Sequence, residues 1–265
     1  MKTRYPKEFL YGLCALLAAT IVIHAIWSFW VRPGAQAVLT VQAESMRKDP
    51  NYVPERSMFV IMKDWEQESC VILMIWALAI IGFKNRTSRR EQEILDADPV
   101  RIPEGMRILP EDTREYVRQL ESLPGEQQQA LIVRAAKAAL ARFGATRNVQ
   151  DVSEAGHAVC AAEAERLDSE LSMLRYIAWA IPAIGFIGTV RGIGDALAEA
   201  HKAVTGDISG VTEGLGVAFN STLVALLLSL VLMFLLHQLQ LAQERLVLDA
   251  ETYLDNRVLR NLQVR

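Results

Sequence analysis

The chain has 265 residues, of which 51% are hydrophobic and 22% charged, with a net charge of −3 and a mean hydropathy of +0.16. It lacks the basic excess of a nucleic-acid-binding protein. Its three cysteines are far apart and form no CxxC or Cys/His cluster, which argues against a disulfide framework or a zinc site. The apolar residues are gathered in four uncharged runs, which argues against a soluble enzyme with one core.

The first apolar run, residues 9–31, has about the length that a helix needs to cross a bilayer. A signal peptide would have a shorter apolar core and a small-residue cleavage site. The run ends instead with Trp27 and Trp30, which are typical of a membrane interface. We therefore predict a transmembrane helix over residues 9–31. His24 within it is either a neutral ring bonded to a neighbouring helix or a functional ionisable group.

The other three runs differ in length. Residues 69–83 are short enough for a buried core helix, but the abrupt change to Lys84 favours a membrane span. The third run, residues 176–190, contains a proline and glycines, and we predict that its helix continues to residue 200. The fourth is longer than a bilayer requires, and we place its span at residues 214–240.

Basic residues near the ends of the runs predict the orientation. They precede the first and third runs and follow the second and fourth, so both termini are expected in the cytoplasm. Residues 32–68 either extend the second span outward as a helix or contact a partner. The resulting prediction has a cytoplasmic N-terminus (1–8), a periplasmic segment (32–68), a cytoplasmic helical region (84–175), a periplasmic loop (201–213) and a cytoplasmic C-terminal helix (241–265).

The cytoplasmic region has the pattern of a helical bundle. One helix is expected to start near Pro110 and a second to span residues 126–143, with Gly144 as its C-cap. A third is expected to begin near Asp151 and to continue into the third span as one long helix. The predicted fold class is an all-α integral membrane protein with four transmembrane helices.

No catalytic constellation is present in the sequence. The four histidines lie on different segments without a nucleophile nearby, and no phosphate-binding loop occurs. We therefore expect no enzyme activity, no catalytic residue, no metal site and no cofactor. Arg191 and Asp195, four residues apart, are expected to form an interfacial ion pair.

Small and polar residues mark the third and fourth spans. Gly185, Gly188 and Gly192 have the spacing that lets two helices approach closely in lipid, and Pro182 predicts a kink or hinge one turn earlier. The fourth span carries a polar cluster in an otherwise aliphatic helix. Without a pore, these hydroxyls would serve only packing and hydrogen bonding. The cluster consists of Asn220, Ser221 and Thr222.

Two sequence blocks in these spans resemble the MotA/TolQ/ExbB proton-channel family. Residues 177–193 (IAWAIPAIGFIGTVRGI) are similar to the family signature, and residues 214–225 (GLGVAFNSTLVA) to its last membrane helix. The helix entering the membrane, residues 165–175, also fits, so that the resemblance covers about residues 163–245. The chain departs from the family pattern at Arg191 and at Asn220-Ser221.

The resemblance implies a homopentamer around a dimer of a single-span partner similar to MotB, ExbD or TolR. The partner would contribute a membrane aspartate, and the flow of H⁺ or Na⁺ would drive rotation. By position, Thr189 and Thr222 match the pore threonines of the family, and Asn220 and Ser221 beside them are included in the predicted ion pathway. Because the four runs contain no Asp or Glu, the carboxylate of an ion relay is expected to come from another chain.

Two functions from different classes follow. The first is the channel subunit of an ion-driven motor in the bacterial inner membrane. The second is a membrane scaffold or passive transporter component, in which the threonines and glycines only pack helices. The sequence leaves open which ion and which cellular process would be involved.

Overall fold

The computed structural model describes residues 7–48, 52, 55–103 and 105–263, and these residues are predominantly helical. In this part of the chain, β-pairing is limited to one isolated bridge between Ile108 and Leu262. The predicted all-α fold is therefore confirmed. Most of the predicted cytoplasmic N-terminus, residues 1–8, lies outside the described residues.

Ten α-helices are formed by the described residues. Turns of other helical types lie at Trp27–Val31, Gln127–Gln129, Leu254–Val258 and Leu259–Asn261. In chain order, the helices are α1 (Lys7–Ile26), α2 (Arg32–Lys48), α3 (Met58–Ile61), α4 (Trp65–Asp96), α5 (Thr113–Glu121), α6 (Leu131–Thr146), α7 (Val149–Glu170), α8 (Ser172–Ala198), α9 (Ala200–Ala203) and α10 (Ser209–Tyr253).

Four helical segments of the described chain are long and apolar enough to cross a membrane, as predicted. They are Leu10–Lys48, Trp65–Asp96, Val149–Ala198 and Ser209–Asn261. Each is longer than the corresponding predicted span, because the helices continue into polar sequence. The positions of the membrane boundaries, and the homopentamer, stay predictions.

The first long helix, and not the second, continues far into the segment 32–68. A π-helical turn at Trp27–Val31, in which the Arg32 amide bonds the Trp27 carbonyl, joins α1 to α2. Pro33 explains the turn, since proline has no amide hydrogen and its ring displaces the carbonyl four residues earlier. The second long helix starts at Trp65, only four residues before the predicted span.

The chain folds as two compact units. The first contains Met1–Ile81 and Met173–Leu236, and the second contains Gly82–Ser172 and His237–Arg265. Helices α4 and α10 contribute residues to both.

In the first unit, α8 and α10 pack with their backbones nearly in contact. A Cβ atom at Gly192 would lie 2.5 Å from both the Ala218 nitrogen and the Gly214 oxygen. A Cβ atom at Gly214 would lie 2.6 Å from the Gly192 oxygen in turn. Glycine is therefore required at both positions, as small-residue packing in membrane helices predicts.

The second unit has a core centred on α6, with Phe143 and Leu140 fully buried. The predicted end of the second cytoplasmic helix is wrong. Gly144 lies inside α6, where its missing side chain makes room for the Thr113 hydroxyl, and the helix ends at Thr146. Arg147 provides the cap in the left-handed conformation, with a φ angle of 53°.

The predicted long third helix is confirmed. It starts at Val149, where the side chain of Asn148 caps it by accepting a hydrogen bond from the Gln150 amide at 3.0 Å. It continues through a single turn residue, Leu171, into α8.

The close approach at Gly192 yields a stability prediction. Gly192→Ala forces a methyl group against backbone atoms that cannot move independently, and we expect it to destabilise the protein by about 1–3 kcal/mol. Gly194→Ala is the matched control, because a Cβ atom there meets nothing within 4 Å. Unfolding of the purified protein in detergent measures both, and equal stability of the two variants would contradict the packing.

Candidate functional site

The two predicted pore threonines lie together between α8 and α10. The hydroxyls of Thr189 and Thr222 are hydrogen bonded to each other. Each hydroxyl also lies 3.3 Å from the same two backbone carbonyls, those of Gly185 and Ala218. Four oxygen atoms from two helices thus converge in one cluster, which we call the threonine cluster.

The threonine cluster has more acceptors than hydrogens. Its two hydroxyls supply two hydrogens, whereas the four oxygens offer several lone pairs. Both threonine side chains are half-buried, so the cluster is reachable from one side. Carbonyl and hydroxyl oxygens can replace the hydration shell of a small cation, and they also hydrogen-bond a water molecule.

The other two residues of the predicted ion pathway occupy different surroundings. Ser221 is 1% exposed and donates a hydrogen bond to the Val217 carbonyl at 2.7 Å. It also accepts one from the Gln67 amide at 3.5 Å, so its side chain is directed towards α4 behind the threonine cluster. Asn220 is half-buried. The structure thus brings Thr189 and Thr222 together and places Ser221 in the layer behind them.

Pro182 creates a free carbonyl that α10 satisfies. Proline lacks the amide hydrogen that would bond the carbonyl of Ala178, four residues earlier. The hydroxyl of Ser229 donates to this carbonyl at 3.3 Å. The Ile181 carbonyl beside it accepts a hydrogen bond from the Cys70 thiol at 3.6 Å. The predicted hinge residue is therefore held on two sides.

The glycines of α8 lie where this helix approaches α10 and α4 closely. A Cβ atom at Gly185 would meet the side chain of Ala225, and one at Gly188 would lie 2.5 Å from the Ser221 hydroxyl oxygen. The same Cβ at Gly188 would lie 3.1 Å from Cγ of Glu66 in α4. Gly188 is therefore the point where three helices meet.

Sequence analysis missed the polar residues at the start of α4. Glu66 and Gln67 have no exposed surface, and Glu68 is 6% exposed. Each reaches a different part of the first unit. Glu66 binds α8, Gln67 contacts α10, and Glu68 binds α1 and α2. A signal was present, because three polar residues directly before an apolar run fit the first turn of a helix, where acids are favoured.

Arg191 binds Glu66 more closely than Asp195, the partner that the sequence predicted. Its guanidinium binds the Glu66 carboxylate through two hydrogen bonds, of 2.6 Å and 3.0 Å. Asp195, the expected partner, lies 3.6 Å away and is 61% exposed, as an ion pair without a hydrogen bond. A buried, two-pronged contact is stronger than an exposed pair along one helix.

A second carboxylate, Asp64, lies 3.6 Å from the Arg191 guanidinium. Burial raises the pKa of Asp64 above its ordinary value, while the nearby charges of Lys63 and Arg191 act in the opposite direction. One of its oxygens, Oδ2, is buried without a hydrogen-bond partner among the described residues.

His24 is bonded to a neighbouring helix, which was one of the two interpretations of this residue. Its Nδ1 atom lies 2.6 Å from Oε1 of Glu68, and Arg32 donates to the other oxygen of Glu68 at 2.6 Å. Within the described residues, no group of three or more His, Cys, Asp or Glu side chains is arranged to hold a metal ion.

Comparisons with known proteins agree with the resemblance seen in the sequence. The MotA/TolQ/ExbB proton channel family matches the chain over residues 127–252, just under half of its length and somewhat more than the region that the sequence motifs indicated. No curated protein and no solved structure shows significant similarity to the chain. The match supports a general role in ion conduction of the motor-stator type. Residues 127–252, which match the MotA/TolQ/ExbB proton channel family, include the threonine cluster.

Proposed function

We propose that this protein is the channel subunit of a rotary motor driven by an ion gradient. The observation that carries the proposal is the threonine cluster, in which Thr189 and Thr222 present hydroxyl and carbonyl oxygens within two largely apolar helices. Such an arrangement offers a small cation a place to shed water. The transported ion is H⁺ or Na⁺, and no cofactor takes part.

The complete motor in this proposal is a homopentamer around a dimer of a single-span partner similar to MotB, ExbD or TolR. The partner supplies an aspartate that takes up and releases the ion beside the threonine cluster. The apolar outer surfaces of α8 and α10 are available to contact lipid and neighbouring subunits. Exposed side chains on these helices include Phe186, Ile187, Val190, Phe219, Leu223, Leu226 and Leu230.

The energy available to such a motor is adequate. An ion that crosses about 100 mV releases about 2.3 kcal/mol per charge. Five equivalent clusters around a two-fold partner would accept ions in turn, so each ion transfer would bias one step of rotation.

The proposal places the protein in the bacterial inner membrane with both termini in the cytoplasm. Basic residues follow the second apolar run, as Lys84 and Arg86, and the fourth, as Arg245. An excess of Lys and Arg is typical of cytoplasmic loops. Residues 32–68 and 201–213 then face the periplasm.

A scaffold or passive transporter component is the second candidate function. The observation that favours it is that the hydroxyls of Thr189, Thr222 and Ser229 all have hydrogen-bond partners on α8 or α10. They therefore serve helix packing without any ion.

The proposed orientation can be tested by cysteine labelling in intact cells. In a chain whose own cysteines are replaced by alanine, Ala43→Cys is expected to react with a membrane-impermeant maleimide. Glu126→Cys is expected to react only after the membrane is permeabilised. Both residues are exposed, so accessibility to the reagent depends on the side of the membrane. Labelling of Glu126→Cys in intact cells would exclude the four-span orientation.

Replacement of the pore threonines by valine separates the two functions. Thr→Val keeps the shape of the side chain but removes its hydrogen-bonding hydroxyl. In a motor, loss of five hydroxyls at once is expected to reduce gradient-driven ion flux about tenfold or more. In a scaffold, each substitution removes a hydrogen bond worth about 0.6 kcal/mol and function is nearly normal. Flux into proteoliposomes that contain the protein and its partner is the measurement, for Thr189→Val and Thr222→Val.

The matched control is Ser229→Ala. This substitution also removes a hydroxyl that donates to an α8 carbonyl. Ser229 lies two turns from Thr222, outside the threonine cluster. We expect its flux to stay within about twofold of the parent. Unchanged flux in both threonine variants, with the complex assembled, would favour the scaffold.

A further inference from the structure

The ion pair between Glu66 of α4 and Arg191 of α8 contains a fully buried carboxylate. Glu66 has no exposed surface, and its carboxylate is held by two hydrogen bonds from the guanidinium. A buried ion pair is often no more stabilising than apolar residues of similar volume. Ionisable groups inside membrane helices are rare and usually functional. Stability alone therefore does not account for this pair.

Two oxygen-bearing side chains, Gln67 and Ser221, lie close to Glu66 where α4 meets Gly188. The Ser221 hydroxyl and Cγ of Glu66 both approach the same point above Gly188, at 2.5 Å and 3.1 Å. The amide nitrogen of Gln67 reaches the same hydroxyl. The amide oxygen of Gln67 is buried without a hydrogen-bond partner among the described residues. A carboxylate, an amide oxygen and a hydroxyl are the kinds of ligand that small hard cations prefer.

This group of oxygens lies next to the threonine cluster. Ser221 directly precedes Thr222 on α10, and Gly188 directly precedes Thr189 on α8. The residues that contact Glu66 and Gln67 on α8 and α10 are thus the sequence neighbours of the two threonines.

Arg191 has alternative acceptors at short range. Asp64 and Asp195 each lie 3.6 Å from its guanidinium, just beyond hydrogen-bond distance. Asp64 offers a buried oxygen without a partner among the described residues. Three carboxylates therefore compete for one guanidinium, and Arg191 can leave Glu66 without losing its charge partners.

An acidic cavity reaches Arg191, the residue that binds Glu66. A volume of about 420 Å³ is lined by five acidic side chains, among them Asp64 and Asp195, and by three basic ones, including Arg191. An excess of carboxylates raises the local concentration of cations.

We propose that Glu66, the amide oxygen of Gln67 and the hydroxyl of Ser221 form a binding site for a small monovalent cation, H⁺ or Na⁺, beside the threonine cluster, and that the Arg191 guanidinium occupies this site when the cation is absent. An arriving cation takes the place of Arg191, which turns to Asp64 and Asp195. The inference rests on the proposed function for its role in conduction, but the cation site itself can be tested without a partner.

The direct test removes the guanidinium and leaves the carboxylate. The full-length Arg191→Met protein, purified in detergent, is expected to unfold about 3 °C or more higher in Na⁺ than in choline at equal ionic strength, because a ligand that binds the folded state stabilises it. If the ligand is a proton, a lower pH has this effect instead. The titratable groups that face Glu66 are Asp64, Cys70 and Arg191, with Asp195 beyond Arg191.

Two matched proteins control this experiment. The parent should respond less than Arg191→Met, because an arriving cation must first displace the Arg191 guanidinium from Glu66. The double variant Glu66→Gln with Arg191→Met should not respond, because it lacks the carboxylate. If Arg191→Met and the double variant respond alike to both Na⁺ and pH, the site is excluded.

A second variant tests the movement of Arg191 and remains informative if Arg191→Met does not fold. Asp64→Asn with Asp195→Asn removes the alternative acceptors and should hold Arg191 on Glu66. We expect ion flux through the complex to fall about tenfold, with thermal stability unchanged or higher. Glu44→Gln with Glu55→Gln removes two exposed carboxylates that do not line this cavity, and its flux should stay near that of the parent. Parent-like flux in Asp64→Asn with Asp195→Asn would overturn the proposal.

The flux assay also includes the parent and Thr222→Val. A parent that does not conduct contradicts the proposed function, whereas the Na⁺ and pH titrations still decide whether the cation site exists. A conducting parent that depends on Thr222 but not on the acceptors of Arg191 excludes only this inference.

Discussion

Three consecutive polar residues at the start of α4 fix the arrangement of the helices in the first unit. Glu66 binds Arg191 of α8, Gln67 reaches Ser221 of α10, and Glu68 binds α1 and α2. A buried polar group without a partner costs several kcal/mol in an apolar environment. A shift of any neighbouring helix by one residue would break one of these contacts. This short turn therefore determines the register of the helices around it.

The packing of α8 against α10 and the chemistry of the threonine cluster depend on the same residues. Glycine at positions 185, 188 and 192 brings the two backbones so close that the carbonyls of Gly185 and Ala218 are within reach of both threonine hydroxyls. Larger side chains would separate these carbonyls. The threonine cluster thus requires close packing of α8 against α10. A scaffold and an ion channel would use the same arrangement of these residues, and the two functions differ only in whether an ion passes.

The sequence predicted the features that are visible within one helix. The glycines of α8, Pro182 and the threonine pair recur at helical spacing, and a motif resemblance supported them. The contact between Glu66 and Arg191 links residues 125 positions apart, and no periodicity connects them. Sequence analysis left Glu66 in the periplasmic segment 32–68, outside the apolar run that begins at residue 69. It therefore expected the carboxylate of an ion relay to come from another chain, and it did not foresee that a carboxylate of this chain, Glu66, packs against Gly188, the residue before Thr189.

The threonine cluster has a consequence for proton movement. Either hydroxyl can be the donor in the bond between Thr189 and Thr222, while the other donates to a carbonyl that both share. The cluster thus has two hydrogen arrangements of nearly equal geometry, related by rotation of two hydroxyl hydrogens. Switching between them reverses the local dipole without moving a carbon, nitrogen or oxygen atom. A proton arriving on one side can therefore be matched by one leaving on the other within a rigid pair of helices.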